Sequence, residues 1–454
     1  MIDLMIEYSR EYCDGLDSYN FTSRSIVVTA MTGVAATLLG GETTHSALHL
    51  FQNKELNYEL IESWEDTKMV IIDEISFASS DDIVKIDDRL RVLKQQPTKR
   101  YGNCHIVFSG DFRQLEPVGK NTLPLYNDTC PEFCDWVNCY IELNGLHRFR
   151  DDVSWGHLLK RFRDGKVTYT DINTINERTK FTENELPPNI RYASYFNKDR
   201  DSINTALFEK RCDLRQTMYG NTNDAVMIFS DEIMIRDSHK NYNPFRGKRL
   251  FWENCGENDI QAGQFGGRLD PVLKLYHGCR VMMTTNTDVK NGKANGTQLT
   301  VEQIILKTET PVHYVKVGSL LIRSVLSSDV HEIIVRHTNK RIFPETFAIT
   351  SSLRTFKAKL PKPTAYQTPS SRTELVHMKA NMFPIIINNA TTGHKLQGCG
   401  VENLFLHNWH YMTNWPYVVM SRVKTIKGLF LRKPLSRDLK NYEVPRGYLS
   451  MINK

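Results

Sequence analysis

No run of apolar residues in this 454-residue chain is long enough to cross a bilayer. The longest, Ile26–Leu39, is broken by Thr and Gly, whereas a membrane helix needs about 20 mostly apolar residues. No secretory leader is expected, because MIDLMIEYSREY reads as an amphipathic helix with acids in it. Disulfide pairing is disfavoured: the nine cysteines are odd in number and scattered, which fits a reducing compartment. Cys130, Cys134 and Cys139 cluster loosely, but no His or second Cys pair completes a zinc pattern. The excess of one charge over the other is small as well, with a net of +6. That permits a polyanionic partner without requiring one. Repeats and low-complexity tracts are absent. The expectation is an intracellular, soluble protein of about two to four domains, and its 40% hydrophobic content builds cores without covalent staples.

Residues 1–145 alternate strand and helix. Short apolar strands are predicted at Ser25–Ala30, Lys68–Asp73, Cys104–Ser109 and Cys139–Leu143. Strands apolar on both faces with helices between them indicate a parallel sheet in an α/β layer fold. A helix at Trp155–Asp164, a strand at Ile190–Ser194, a helix at Asp199–Arg211 and a strand at Ala225–Ser230 follow within residues 146–265. Residues 266–380 change texture. They are rich in β-branched residues and carry the turn pairs Asn291-Gly292 and Asn295-Gly296, which favour tight hairpins. The α/β texture returns at Phe383–Ala390, Val401–His407 and Gly428–Arg432.

Two segments carry the chemistry. IIDEIS (71–76) and FSGDFRQLEPV (108–118) each follow an apolar run. Asp73 and Glu74 therefore emerge at the C-terminal end of a buried strand, where open α/β sheets bind ligands. Asp73 suits Mg²⁺ and Glu74 suits orienting and deprotonating a water; the same pair also suits a solvated strand end. Gly110 allows a tight strand exit, and Gln114 is a long neutral group able to hydrogen-bond a γ-phosphate or its water. TAMTGVAA (29–36) followed by Thr43-Thr44-His45-Ser46 suits sugar–phosphate contacts, or a plain loop and helix cap. The turn TTGHKLQG (391–398) carries His394, Lys395 and Gln397 and can touch phosphate on a nucleotide or a strand. Arg422 in YVVMSRV and Arg148 in LHRFR suit phosphate charge, although each also reads as a surface residue.

In order, TAMTGVAA…TTHSALH, VIIDEIS, FSGDFRQLEPV, ELNGLHRF, KLYHGCRVMMTTN…NGT, NNATTGHKLQG and YVVMSRVKTIKGL resemble the Pif-type, RecD-like DNA helicases of superfamily 1, from about residue 1 to about residue 434. The resemblance implies an α/β fold of two RecA-like parallel-sheet domains that clamp ATP. The first domain spans 1–145. The second spans 146–265 and 381–454, with a β-rich, SH3-like insert at 266–380. It implies ATP and Mg²⁺ as cofactors, with the metal on Asp73. Glu74, Gln114 and Arg422 are then catalytic, and Asp73, Arg148 and Gly398 complete the nucleotide contacts. Thr32, Gly33, His45, Thr392, His394 and Lys395 would contact DNA. Five-prime to three-prime movement on single-stranded DNA, unwinding of duplex DNA, and a monomer working in DNA repair, recombination and telomere maintenance are implied as well. The compartment would be the nucleus or mitochondrion in a eukaryote.

Two substitutions depart from the family pattern: Glu116 replaces a usual Pro, and Arg113 replaces an apolar or polar residue, with Gln114 retained. A larger departure is the missing G-x-x-x-x-G-K-[ST] loop, which the family places just before a helix like IDLMIEYSREY. The strand preceding that loop lies centrally in such a sheet, so unpaired strand edges and exposed apolar surface are expected. The chain is then a helicase whose record starts late, a non-hydrolysing nucleic-acid-binding remnant, perhaps of a mobile element, or an NTPase with another task. Weak or no ATP turnover is expected of the polypeptide as written.

Overall fold

The computed structural model describes residues 2–16, 20–50, 57–117, 122–127, 132–143, 145–235, 248–249, 251–253, 260–262, 269–311, 313–338, 343–362, 367–368, 372–412, 414–445 and 447–449. Cys130, Asn144 of the ELNGLHRF motif and the expected start of the insert at residue 266 lie outside them. The chain divides into two compact units. Residues 1–168, 411–418 and 438–454 form the first, and residues 169–410 and 419–437 the second.

The first unit is built on a parallel sheet of β1 (Ile26–Ala30), β2 (Glu42–Thr43), β3 (Met69–Asp73) and β4 (His105–Phe108), in the order β2-β1-β3-β4. Val70, Ile71 and Ile72 of β3 are fully buried, as a strand covered on both faces requires. The helix Ser80–Leu93 starts on a Ser79/Asp82 capping box. Its Ile83, Ile86, Leu90 and Leu93 recur at helical spacing and join Val70 and Ile72 in one core. Fully burying one such side chain stabilises the fold by about 1.5–3 kcal/mol.

The expected strand Cys139–Leu143 is not a strand. A strand exists by pairing, and no described strand lies alongside this segment, so Tyr140, Ile141 and Leu143 remain exposed. β4 is the outer strand of its sheet. The helix Ile2–Asp14 buries no residue, and its Leu4, Tyr8 and Tyr12 are exposed. The four described strands pair without a gap, so β2 and β4 are outer strands as in any open sheet.

The second unit holds another parallel sheet, ordered Ala390–Thr392, Arg191–Ser194, Leu404–Leu406, Leu429–Leu431. A helix Asn197–Tyr219 follows Arg191–Ser194 and is longer than expected. Helix-forming residues run on until Gly220 adopts φ 68° and stops it. Between the segments of this sheet lie antiparallel strands from Val272 to Met382, which pair into separate sheets. Ala225–Phe229, read from sequence as part of the α/β layer, pairs with Val272–Tyr276 and Leu320–Leu326 instead. Both Asn-Gly pairs turn the chain, with positive φ on Gly292 and Gly296 alone. The two parallel sheets agree with the two RecA-like domains that the resemblance implies.

Candidate functional site

β3 and β4 lie side by side, so the segments after them leave the sheet at the same end. Asp73 closes β3, and its carbonyl accepts from Met31 N–H, which holds the exit of β1 beside it. Glu74 follows in the left-handed region, φ 55° and ψ 42°. Such a backbone is uncommon for a residue other than Gly, Asn or Asp and stores strain. Ile75 N–H then donates to the Ser109 carbonyl at 2.9 Å, tying the two exits together. Gly110 makes this approach possible. A Cβ there would stand 2.9 Å from Ile75 N and 3.0 Å from its Cγ2.

The turn Asp111–Gln114 is closed by Gln114 N–H on the Asp111 carbonyl and by Arg113 N–H on Asp111 Oδ1, both at 2.9 Å. Gln114 Oε1 is buried and meets no hydrogen-bond partner among the described residues. A buried acceptor left so costs about 1–3 kcal/mol, and a water or a ligand proton donor would relieve it. Asp73, Glu74 and the Gln114 turn therefore gather on one sheet end, as the sequence spacing implies. Mg²⁺ is ordinarily held by one or two carboxylates together with substrate phosphates, and the Asp73–Glu74 pair at a strand end fits that donor set.

The two departures flanking Gln114 have partners that sequence gave no sign of. Arg113 is buried; its Nε donates to the Arg163 carbonyl, and its guanidinium lies over the ring of Tyr448. Its two terminal nitrogens meet no hydrogen-bond partner among the described residues. Burial lowers its pKa. Glu116 accepts from the Tyr126 hydroxyl, and Tyr126 meets Tyr448 edge-on, ring centroids 6.1 Å apart. Burial, then this bond to Glu116, pushes the Tyr126 hydroxyl pKa up. Gly447 packs on the Tyr126 carbonyl so closely that a Cβ would stand 2.8 Å from it.

Thr32 caps the helix Gly33–Leu38, its Oγ1 accepting from Ala35 N–H at 3.3 Å. Thr29 and Thr44 hydroxyls meet at 3.0 Å and anchor the helix Thr44–Ala47, which carries His45. His45 Nε2 is 3.8 Å from Asp82 Oδ1. Burial lowers the His45 pKa, against an opposing pull from Asp82. Arg148 is exposed on a short 3-10 turn of this first unit.

In the second unit Thr392 ends a sheet strand and begins the helix Gly393–Leu396. Lys395 Nζ reaches Asn295 Oδ1 at 3.5 Å. Gln397 is buried, and both its amide atoms meet no partner among the described residues. Gly398 turns at φ 77°, a conformation that favours glycine. Arg422 is buried and not a surface residue: its Nη2 donates to the Ser421 hydroxyl at 2.8 Å, and its carbonyl accepts from Val401 N–H. Asp73, Glu74 and the Gln114 turn end or follow strands of the first unit's sheet and Thr392–Lys395 a strand of the second's, whereas Arg148 lies on a 3-10 turn and Arg422 follows the helix Trp415–Met420.

Residues 16–150 match the PIF1-like helicase family. The chain is 30% identical over 181 residues to the ATP-dependent DNA helicase PIF6 of Trypanosoma brucei brucei, covering 33% of this chain and 23% of that protein. It is 30% identical over 288 residues to the ATP-dependent DNA helicase PIF1 of Homo sapiens, covering 60% of this chain and 38% of that protein. It therefore spans well under half the length of these relatives. The fold is similar to a crystal structure of Bacteroides Pif1 bound to ssDNA, with a TM-score of 0.65, 19% identity, and 99% of this chain and 90% of that one covered. The Pif1 helicase of Candida albicans is comparable, at TM-score 0.62 and 18% identity over 100% of this chain and 92% of that one. Residues 16–150 thus resemble the PIF1-like helicases in sequence, and the chain shares the fold of the solved Pif1 structures.

Proposed function

We propose that the chain acts as an ATP-dependent DNA helicase, moving five-prime to three-prime on single-stranded DNA and unwinding duplex. The observation that supports this most is the buried Gln114 Oε1, left without a donor on a turn that Gly110 presses against Ile75, next to the strained Glu74. In this reading Glu74 accepts the proton of the attacking water, and Gln114 holds that water or the γ-phosphate in line. Asp73 holds Mg²⁺, which when bound would neutralise phosphate charge. Arg148 and Arg422 supply positive charge to the phosphates, and Gly398 lets the backbone approach the nucleotide. Thr32, Gly33, His45, Thr392, His394 and Lys395 contact the DNA strand, and the antiparallel body serves as the SH3-like appendage. No described helix is long and apolar enough to cross a membrane, and the proposed compartment, if the source is a eukaryote, is the nucleus or mitochondrion.

The test is ATP turnover of the 454-residue chain with and without an oligo-dT strand, beside Glu74→Gln. Because the sequence holds no G-x-x-x-x-G-K-[ST] loop, turnover is expected to be weak. What there is should rise with DNA and fall by roughly 10²-fold or more in Glu74→Gln. Turnover indifferent to both would overturn the reading. The lack of a G-x-x-x-x-G-K-[ST] loop in the sequence motivates a second one, a non-hydrolysing DNA-binding remnant. Salt-dependent DNA binding with no turnover at all would select it.

A further inference from the structure

The strand Arg191–Ser194 lies between Ala390–Thr392 and Leu404–Leu406, with Thr392 opposite Ser194 and Leu406 opposite Ala193. Three segments therefore leave the second unit's sheet at one end: Tyr195-Phe196, Gly393–Lys395 and His407–His410. Their rings meet there. Tyr195 and His410 stack face to face, centroids 3.4 Å apart and planes 6° from parallel. Phe196 stands edge-on to both, at 4.9 Å and 6.2 Å. His394 is 6.3 Å from Tyr195.

The shelf is held rigid from beneath. Tyr195 N–H donates to Asn408 Oδ1 at 3.1 Å, and Asn408 Nδ2 donates to Asp199 Oδ2 at 2.6 Å. Trp409 Nε1 is anchored on the Lys433 carbonyl at 2.8 Å. Phe196 nevertheless is 56% exposed, so this ring keeps a face in water. It also occupies the N-cap of the helix Asn197–Tyr219 and provides no side-chain cap. Ser, Thr, Asp or Asn would stabilise that position, and a residue that breaks a local rule in an otherwise braced setting points to function. Lys198, exposed two residues after Phe196, and Lys395 of the Gly393–Lys395 turn add positive charge to this end of the sheet.

We propose that Phe196, buttressed by the Tyr195–His410 stack, is a platform on which a base of single-stranded DNA stacks. A flat ring offers its face to any base, so the contact is indifferent to sequence. Lys198 and Lys395 supply charge for the neighbouring phosphates. The inference rests on the DNA-binding reading above and adds a specific base contact to it.

Fluorescence anisotropy of the full chain with a labelled oligo-dT strand, across a salt series, tests it. Phe196→Ala should weaken binding about tenfold with the slope of affinity against salt unchanged, because no phosphate contact is lost. Phe196→Trp should restore binding. A strand of abasic sites should bind the original chain more weakly than oligo-dT, and Phe196→Ala should narrow that difference. Circular dichroism verifies that the variants are folded. If the original chain binds oligo-dT and Phe196→Ala binds equally well, the platform is overturned and the DNA-binding reading stands. A steeper or shallower salt slope in Phe196→Ala also overturns the platform. If the original chain binds no strand, both fall.

Discussion

The guanidinium of Arg113 lies over the ring of Tyr448, 5.1 Å from its centroid, and so joins the turn that carries Gln114 to the C-terminal segment of the chain. With Glu116 bonded to Tyr126 and Tyr126 against Tyr448, both flanks of Leu115 are held by one pair of tyrosines. Because the Arg113 charge is largely desolvated, the ring contact is worth about 2 kcal/mol. Tyr448→Leu is expected to lower the urea midpoint by that order, while Tyr448→Phe keeps the ring and most of the stability. Equal losses in the two variants would show that the hydroxyl, not the ring, matters.

Gly110→Ala places a methyl against Ile75 N and Cγ2. Both neighbours are pinned, the first by its bond to the Ser109 carbonyl. The expected cost is about 1–3 kcal/mol of stability. The Gln114 turn should be displaced with it, so nucleotide turnover falls further than stability alone explains. Chemical denaturation and turnover on the same preparation measure the two effects.

Glu74 holds a left-handed backbone that Asn tolerates better. Glu74→Asn should therefore raise the melting temperature while removing turnover, a trade of stability against function common at strained sites. A lower melting temperature in the variant would mean that the carboxylate's contacts outweigh the strain.

Burial holds the pKa values of His45, His337, His407 and His410 below the ordinary 6.5. As pH falls, the unfolded chain takes up these protons before the folded one does. Stability present above about pH 6.5 is lost below it. Urea midpoints at about pH 7.5 and about pH 5.5 should differ in that direction. His45→Gln should shrink the difference, with Asp82 limiting its share.

The parts of the fold visible in sequence were those set by near neighbours. Val70–Ile72 are apolar in succession, which buries the strand and pushes Asp73 and Glu74 to its end. The same reasoning misled at Cys139–Leu143, where strand-like composition is present but no described strand pairs with it. Ala225–Phe229 was legible as a strand, but its neighbours Val272–Tyr276 and Leu320–Leu326 were not, since pairing depends on distant chain. Arg113 against Tyr448 and the burial of Arg422, whose carbonyl accepts from Val401 N–H, needed three dimensions for the same reason: an isolated arginine in sequence reads as surface, and only packing shows what surrounds it.

The outer edge of β4 presents backbone donors and acceptors that no described strand completes. Strands in this condition are templates. Concentrated solutions of the chain should gain cross-chain sheet and scatter light in proportion to concentration, and a short extended apolar peptide should suppress that gain by occupying the seam first.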